Sequence, residues 1–547
     1  MPTDEVPNQP PPLEGYNLFE SDPALREGVA REGGAWAASR LSEIGRLAGT
    51  PEAIAWGFDA NAHPPVLRTH DRFGHRIDTV EFHPAWHRLL EVAVGAGMHA
   101  TPWVERHPGG HVARAAAFYL WSQVDAGVGC PISMTYAAVP ALRAQPGLAR
   151  DWVPALGSRS YEPGLRLVSD KAGALCGMAM TEKQGGSDVR ANTTAAVPAG
   201  EGGPGGEYRL TGHKWFCSAP MSDAFLVLAQ APSGLSCFLL PRVTPDGSTN
   251  ALHLQRLKDK LGNRSNASAE IELAGAMAWM VGEEGRGIQT ILEMVNSTRL
   301  DCVIGTAALM RQAVAQATHH AAHRRAFGRR LADQPLMQNV LADLAIESEA
   351  ATALALRLAG ACDRADDDEH EARIRRIGTA VGKYWVCKRG PATTAEALEC
   401  LGGNGYVEES IAPRLYREAP LNSIWEGSGN VNALDVLRAL SREPETAASF
   451  FAEVEFARGA DRRLDAAAAD LRGALSSSEG TPAQARRVAE RMALVLQGGL
   501  LARHAPAAVS DAFCASRLGG EGGLAFGTLP ARAGLEAIIA RHTPNLA

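Results

Sequence analysis

The feature that most constrains the fold is a change of hydrophobic spacing in the middle of the chain. Between about residues 174 and 285, short apolar runs such as LCGMAM, YRLTGHKWF and LSCFLLP are separated by the turn clusters EGGPGGE and PDGSTN. Such runs, bounded by Gly- and Pro-rich turns, are typical of a small antiparallel β-domain. On both sides of this region apolar residues recur at helical spacing, as in HPAWHRLLEVAVGAG and QPLMQNVLADLAIESEA. The sequence therefore predicts an α+β fold in which helices flank one β-domain.

The 547 residues are too many for one compact core, so several domains are expected. Pro335 suits the first turn of a long helix, and the glycines of LGGNG at 401–405 suit a left-handed helix cap. The predicted domains are a Pro-rich tail and helical domain over 1–173, a β-domain over 174–285, a helical bundle over 286–440 and an additional helical domain over 441–547.

Composition excludes several classes of protein. The net charge is -7 with no block of basic residues, so composition gives no reason to expect a nucleic-acid partner. No run of about 20 apolar residues is present to span a membrane. The nine cysteines are scattered and form no CxxC, and the acidic, Pro-rich start does not resemble a signal peptide. We therefore expect a soluble protein of the reducing cytoplasm.

Glycine-rich segments and a pair of histidines are candidate sites for a nucleotide and for a metal ion. The sequence has no P-loop, and no GxGxxG follows a strand and opens a helix, so nucleotide binding of those two kinds is not predicted. His319 and His323 share a helical face and could form a metal pair, but no acidic third ligand is nearby. A polar helix face is preferred, and no metal is predicted.

Two segments of the β-domain are more informative. In MAMTEKQGGSDV, residues 178–189, a strand ends at Thr181 and two glycines let backbone N–H groups approach a bound ligand. A simple hairpin turn is the alternative. In GHKWFCSAP, residues 212–220, Phe216 and Ser218 alternate onto one face of a strand. A flat, heteroatom-rich ring could stack and hydrogen-bond on such a face.

The helix–sheet–helix order and five motifs together resemble the acyl-CoA dehydrogenase superfamily of flavoproteins. The motifs are MTEKQGGSDV, LKDKLGNRSNAS, RRAFG, LGGNGY and WEGSGN. The segments KQGG and SIWEGSGN and the additional C-terminal helical region resemble the AidB branch, the alkylation-response flavoproteins. This resemblance implies an acyl-CoA dehydrogenase-like fold with a C-terminal four-helix bundle, FAD as cofactor, and a homotetramer built as a dimer of dimers.

The resemblance also implies a set of cofactor-binding residues. In the β-domain they are Met180, Thr181, Gly186, Ser187, Phe216 and Ser218. On the helical side they are Arg324, Phe327, Gln334, Gly402, Gly403, Ile424, Trp425, Ser428 and Asn430. Arg324, Phe327, Gln334 and the two glycines would reach the adenosine diphosphate of a neighbouring subunit.

Glu426 is the predicted catalytic base. The family's reaction removes an α-proton from a thioester, which requires a carboxylate that is ionised at rest. Burial against Trp425 and Ile424 would raise the pKa of this carboxylate toward the working pH. Some members place the base on an earlier helix, but Thr298 occupies that position here, and Arg299 beside it matches an arginine that closes the site. The alternative for Glu426 is an ordinary acid favoured by the dipole at the start of the next helix.

The substrate and partners are less constrained. The AidB branch suggests a short or branched acyl-CoA similar to isovaleryl-CoA, turned over slowly. An alternative function is protection of double-stranded DNA against alkylation, with Arg438 and Arg442 as contacts. From residue 441 onward, however, twelve arginines are balanced by twelve acids, which weakens the expectation of DNA binding. An oxygen-using flavin oxidase is a third reading.

Overall fold

A computed structural model describes residues 6–476 and 481–545 of the chain. The helices are α1 Pro23–Arg31, α2 Ala38–Ala48, α3 Pro51–Ala62, α4 Pro84–Gly95, α5 Thr101–Val104, α6 Gly110–Ser122, α7 Gly129–Leu142, α8 Pro146–Leu156, α9 Gly287–His323, α10 Pro335–Arg364, α11 Glu369–Cys400, α12 Ala412–Glu418, α13 Gly429–Arg442, α14 Pro444–Glu455, α15 Arg462–Ser476, α16 Ala485–His504, α17 Ala507–Phe513 and α18 Leu535–His542. The strands are β1 Val66–His70, β2 Arg76–Glu81, β3 Cys176–Ala179, β4 Ala195–Pro198, β5 Glu207–Ser218, β6 Ala224–Ala231, β7 Gly234–Pro241, β8 Leu252–Leu257, β9 Ser268–Val281, β10 Arg325–Ala326 and β11 Arg329–Arg330. The predicted order of helices, sheet and helices is confirmed.

The described residues form two compact units. Unit 1 contains those of Met1–Ile54, Pro108–Val124 and Cys302–Ala547, and unit 2 contains Ala55–His107 and Asp125–Asp301. This division is coarser than the four predicted domains, whose boundaries stay a prediction. Among the described residues, no helix combines the length and the apolar character needed to cross a membrane.

The core of unit 2 is a seven-stranded sheet whose pairings close on themselves. Strand β5 pairs with β9, β9 pairs with β7, and β7 pairs with β6. Strand β4 pairs with both β6 and β5 and so closes this ring of strands. The two remaining strands lie outside the ring: β3 pairs with β6, and β8 pairs with β9. Phe225, Val227, Phe238, Leu240 and Ile271 are among the buried side chains that fill the interior. This core holds the ends of β3 and β5, where the predicted cofactor residues lie.

The expectation of a purely antiparallel β-domain was wrong in one respect. Strands β3 and β4 both run parallel to β6, while the other pairs of this sheet are antiparallel. A parallel pair needs a longer connection than a hairpin turn. The β4–β5 hairpin provides that connection between β3 and β6, a long-range effect that local turn signals do not reveal.

Unit 1 is built around the long helices α10 and α11. They pack against each other, and α13, α14 and α16 pack against α11. Helix α10 begins with Pro335 in its first turn, as predicted. Proline has no backbone N–H, and an N–H in the first turn of a helix would have no partner within the helix, so proline costs nothing there. The Asp368 carboxylate caps α11 by accepting from the backbone N–H groups of His370 and Glu371. Beyond α11, Gly402 has φ +60°, the left-handed conformation expected after the helix end.

A buried ion-pair network joins the C-terminal helices to this pair. On α10, the Arg357 guanidinium donates to the Glu371 carboxylate at 2.7 and 3.0 Å and to the Glu453 carboxylate of α14 at 3.0 and 2.9 Å. The Glu453 side chain is only 3% exposed. Burial acts to raise the pKa of Glu453, but the hydrogen bonds and charge of Arg357, with Arg503, outweigh it and lower the pKa to about 2.

This network predicts an acid-sensitive contribution to stability. Because the folded-state pKa of Glu453 lies below its ordinary value, its contribution is complete near neutral pH and is lost as the pH falls towards about 2. Between pH 7 and pH 3, we expect the wild type to lose about 2 kcal/mol more free energy of unfolding than Glu453→Gln. Urea unfolding of both proteins at the two pH values measures this difference. Equal losses in both proteins would contradict the assignment.

Candidate functional site

The loop after β3 is fixed to the neighbouring strand β5. The Thr181 carbonyl accepts a hydrogen bond from the Trp215 backbone N–H at 2.8 Å. The loop then folds back so that a side chain at Gly186 would collide with the Thr181 hydroxyl, which explains why glycine is needed there. Met180 and Thr181 are half-buried, and Gly186 and Ser187 are exposed. Backbone and hydroxyl groups of the loop thus face outward at the end of the strand.

The buried carboxylate of Glu182 holds this loop in place. The two oxygens of Glu182 accept hydrogen bonds from the backbone N–H and hydroxyl groups of Thr193 and Thr194, and from the Lys214 ammonium at 2.7 Å. The Glu182 and Lys214 side chains are both 0% exposed. Burial acts to raise the pKa of Glu182, but the hydrogen bonds from Lys214 and the two threonines outweigh it and hold the pKa far below its usual range.

Burial alternates over the last three residues of β5, where the stacking face is predicted. Cys217 is buried, while Phe216 and Ser218 on either side point to the opposite face, and the Phe216 ring is 49% exposed. The Lys258 ammonium lies 4.7 Å from the centroid of the Phe216 ring. The Ser218 hydroxyl lies 3.3 Å from that of Ser268.

These groups of unit 2 fit a flat, heteroatom-rich ring. An aromatic side chain that is half exposed on a strand can stack on such a ring, and the hydroxyl and backbone donors of the adjacent loop can bond to its heteroatoms. The predicted isoalloxazine residues Met180, Thr181, Gly186, Ser187, Phe216 and Ser218 all belong to this unit and lie at the ends of β3 and β5.

Helix α9 carries the alternative base position and the predicted arginine. The Thr298 hydroxyl donates to backbone carbonyls of its own helix, those of Val295 and Met294, at 3.0 and 3.3 Å. Thr298 and Arg299 are both buried. The hydroxyl cannot act as the carboxylate base that some family members carry at this position.

In unit 1, Glu426 occupies a strained turn before α13. It has φ +57°, a left-handed conformation that costs a non-glycine residue roughly 1–2 kcal/mol. Gly427 follows at φ +97°. The side chain of Glu426 is half-buried, and it precedes the first helical residue, Gly429, by three positions. A residue kept in this conformation at a candidate site points to a function that uses it.

The turn is anchored on both sides of Glu426. The Gly427 carbonyl accepts from Lys383 Nζ at 3.2 Å and from Asn432 Nδ2 at 2.5 Å. Before the turn, the Trp425 indole N–H donates to Asn422 Oδ1 at 3.0 Å, and Asn422 Nδ2 donates to the Thr306 hydroxyl at 3.1 Å. These four contacts fix the backbone that presents the carboxylate.

The two apolar neighbours predicted to cover Glu426 differ in exposure. Trp425 is half-buried, as its hydrogen bond to Asn422 requires. Ile424 is 62% exposed, so the expected burial of the carboxylate against Ile424 is not formed within unit 1. The turn directs Ile424 outward, which the spacing of the motif could not show.

Ser428 and Asn430 lie at the start of α13. Ser428 is the N-cap residue, in extended conformation, and its side chain makes no capping hydrogen bond. The side-chain oxygen Oδ1 of Asn430 accepts from the Arg486 guanidinium of α16 at 2.8 Å. Asn430 therefore forms a hydrogen bond with helix α16, a contact that the sequence did not predict.

The residues predicted to reach a neighbouring subunit lie on an exposed surface of unit 1. Phe327 is 97% exposed with φ +53°, and Gly402 and Gly403 have open space beside them. The Arg324 guanidinium donates to the Asn8 carbonyl at 2.6 Å. The Gln334 amide donates to a backbone carbonyl of β10 at 3.0 Å. A bulky aromatic residue is rarely left-handed and fully exposed, so this surface fits a bound molecule or a second chain.

The predicted DNA contacts are only partly available. Arg438 donates to Asp435 at 3.0 Å, and Arg442 is exposed in the last turn of α13. Most arginines of the C-terminal region form ion pairs within the chain; these are Arg458, Arg463, Arg472, Arg503, Arg517, Arg532 and Arg541. An arginine paired with a carboxylate contributes little to phosphate binding unless that pair opens.

The histidine pair considered as a metal site is used in hydrogen bonds. His319 Nε2 lies 2.8 Å from the Pro11 carbonyl, and His323 Nδ1 lies 2.9 Å from the His319 carbonyl. Burial lowers the pKa of His319. Within the described ranges, no group of three His, Cys, Asp or Glu side chains could hold a metal ion.

Sequence reasoning missed the side chains that support these residues. Glu182, Lys214, Lys383, Asn422 and Asn432 are all buried polar groups that hold the two loops. Two of them could have been suspected from the sequence. Glu182 lies inside the motif MTEKQGGSDV, and Lys383 is a single charge in the otherwise apolar helical stretch GKYWV. Their partners are distant in sequence and could not be inferred.

Comparisons with known proteins cover nearly the whole chain. The family model for the adaptive response protein AidB N-terminal domain matches residues 8–163. Those for the acyl-CoA dehydrogenase middle domain and C-terminal domain match residues 177–276 and 285–441.

Individual relatives agree with these matches. AidB of Escherichia coli (strain K12) is 47% identical over 529 residues, which cover 95% of this chain and 96% of that protein. Acyl-CoA dehydrogenase family member 11 of Caenorhabditis elegans is 32% identical over 470 residues, 80% of this chain and 73% of that protein. The solved structure of C. elegans ACDH-11 in complex with C11-CoA has a TM-score of 0.85 at 27% identity, covering 99% of this chain and 93% of that chain.

Proposed function

Because the chain belongs to the acyl-CoA dehydrogenase family, in the group that carries the AidB N-terminal domain, we propose that it is an FAD-dependent dehydrogenase of a short or branched acyl-CoA. Glu426 is the catalytic base in this proposal. The observation that carries it is the anchored, left-handed turn at Glu426, combined with a threonine at the alternative base position on α9.

FAD is the cofactor of this family, and when bound it supplies the acceptor for the hydride that leaves the β-carbon. The exposed face at the ends of β3 and β5 would hold the ring, with Phe216 stacking on it and Thr181 and Ser218 bonding to its heteroatoms. The residues of unit 1 assigned to the rest of the cofactor are Arg324, Phe327, Gln334, Gly402, Gly403, Ile424, Trp425, Ser428 and Asn430.

Glu426 removes the α-proton of the thioester. A carboxylate suits this step because it is ionised at neutral pH and can hold the proton once the site excludes water. Glu426 lies before the N-cap residue Ser428 and outside α13, which supports a role other than that of an ordinary first-turn acid. Arg299, which is buried on α9, is assigned as the second catalytic residue from the family resemblance.

The substrate is an acyl thioester similar to isovaleryl-CoA. The structural relative ACDH-11 was solved with C11-CoA, which supports an acyl-CoA as the ligand class. The family's assembly as a dimer of dimers is also proposed for this chain. The exposed side chains of Phe327, Leu336 and Tyr406, which are 97%, 84% and 81% exposed, support a contact surface on unit 1.

The alternative function, protection of double-stranded DNA, stays a prediction. No contact in the described ranges favours it, since Arg438 is paired with Asp435 and most arginines of the C-terminal region are paired with acids of this chain.

The proposed function predicts that the purified protein is yellow and that isovaleryl-CoA bleaches it without oxygen. The flavin absorbance should fall on anaerobic titration, because the reduced cofactor accumulates when no acceptor is present. Admitting oxygen afterwards distinguishes a dehydrogenase from an oxidase, which would release peroxide on turnover. Absence of bleaching with isovaleryl-CoA and with other short acyl-CoAs would contradict the dehydrogenase assignment and leave FAD binding intact.

A further inference from the structure

Lys383 of α11 is a buried cation that the proposed reaction does not use directly. Its side chain is among the largest fully buried ones, with 1% of the residue exposed. Among the described residues, its ammonium forms no ion pair and donates one hydrogen bond, to the Gly427 carbonyl at 3.2 Å. A buried ammonium without a carboxylate partner is costly, so its position calls for a specific reason.

The group it contacts belongs to the Glu426 turn. Gly427 directly follows the proposed base, and its carbonyl direction is set by the two left-handed residues Glu426 and Gly427. Asn432 bonds to the same carbonyl. Its side-chain amide donates to the Gly427 carbonyl at 2.5 Å and to the Ser428 carbonyl at 3.1 Å. Two donors from two helices therefore converge on one carbonyl.

A peptide group held in this way cannot rotate without breaking both bonds. Rotation of the peptide that carries this carbonyl would change ψ of Gly427 and φ of Ser428, and so would release the chain that directly follows Glu426. The charge on Lys383 makes its bond stronger than a neutral one, since a hydrogen bond from an ionised donor is roughly twice as strong.

We propose that Lys383 is the positioning residue of the catalytic turn: it fixes the carbonyl of Gly427, the residue after Glu426, and thereby holds the backbone that presents the Glu426 side chain. Asn432 is its neutral partner. This inference rests on the proposed function for its catalytic consequence, but the structural part concerns the turn alone and can be measured without turnover.

Hydrogen–deuterium exchange of the FAD-loaded protein tests the structural part. In Lys383→Met, which keeps the length and removes the donor, amide exchange in peptides covering residues 421–432 should be at least about 10-fold faster than in the wild type. Ile377→Val is the matched control, because Ile377 is also fully buried on α11 and its substitution removes one methyl group without touching the turn. Unchanged exchange in Lys383→Met, or an equal increase in Ile377→Val, would overturn the assignment.

Single-turnover reduction by isovaleryl-CoA tests the catalytic part. Misplacement of a reacting group by about 1 Å can lower a rate by about 100-fold, so flavin reduction in Lys383→Met should slow by about that factor. The half-saturating concentration of isovaleryl-CoA should change less than about 3-fold, because Lys383 is buried and bonds to the turn. Lys383→Arg keeps a charged donor and should recover most of the lost rate.

The outcomes separate the two claims. If Glu426→Gln abolishes reduction and Lys383→Met reduces at the wild-type rate, the positioning role fails and the base assignment stands. If isovaleryl-CoA does not reduce the wild type, the proposed function fails, and the exchange measurement alone decides whether Lys383 locks the turn.

Discussion

The Glu426→Gln variant should bind FAD as the wild type does but should be reduced by isovaleryl-CoA about 10²–10⁴ times more slowly. The substitution keeps the shape of the side chain and removes its negative charge and its ability to accept the α-proton. Because the turn is fixed by Lys383, Asn432 and Asn422, the backbone should be unchanged. Stopped-flow absorbance of the flavin under anaerobic conditions measures the rate.

The matched control for this experiment is Glu443→Gln. Glu443 lies just beyond the other end of α13 and is exposed, so its substitution removes the same charge without changing the turn. It should reduce at the wild-type rate. A Glu426→Gln variant that also reduces at the wild-type rate would show that Glu426 is an ordinary helix-start acid.

The second large effect is expected at the Glu182–Lys214 pair of unit 2. Glu182→Gln should lower the free energy of unfolding by about 3–5 kcal/mol, because it leaves the Lys214 ammonium buried without a counter-charge. The Leu228 carbonyl, which Lys214 also contacts at 2.7 Å, cannot replace a carboxylate. Urea or thermal unfolding of the two proteins measures the difference.

Two further variants distinguish this explanation from a general loss of packing. The double variant Glu182→Gln/Lys214→Met removes both charges and should recover much of the lost stability, because the unpaired buried charge is gone. Glu207→Gln on the same strand breaks an exposed pair with Arg209 and should change stability by less than about 1 kcal/mol. If the double variant is less stable than Glu182→Gln, the buried-charge argument is wrong.

The pair also links stability to the site. Glu182 is adjacent to Thr181 and accepts hydrogen bonds from Thr193 and Thr194, so it ties the loop that carries Gly186 and Ser187 to the sheet. Loss of the pair should therefore loosen the outward face at the end of β3. The same buried carboxylate supports both the fold of unit 2 and the surface that fits the cofactor ring.

The sequence predicted those features of the fold that depend on local spacing. Helical and strand periodicities differ, so the helix–sheet–helix order could be read directly, and Pro335 and Gly402 marked a helix start and a helix end by their own backbone preferences. Alternation along β5 placed Phe216 and Ser218 on one face. The parallel pairing of β3 and β4 with β6 could not be predicted, because it depends on how the sheet closes on itself.

Contacts between residues far apart in the chain escaped prediction for a similar reason. Arg517, one of the twelve arginines counted in the C-terminal region, is paired with Asp343 and Glu347 of α10, which are 174 and 170 positions away. Lys383 and Gly427 are 44 positions apart. Ile424, expected to cover Glu426, is 62% exposed. In each case the residue can be read from the sequence, but the group that it contacts is determined by tertiary packing.

Exchange of the α-hydrogens of a thioester with solvent deuterium tests the central claim most directly. A substrate analogue without β-hydrogens, 3,3-dimethylbutyryl-CoA, can lose an α-proton but cannot transfer a hydride, so the exchange reports the base alone. The wild type in D₂O should replace the α-hydrogens, observed by proton NMR, and Glu426→Gln should not. Equal exchange in both proteins, or no exchange in the wild type, would contradict the assignment of Glu426 as the catalytic base.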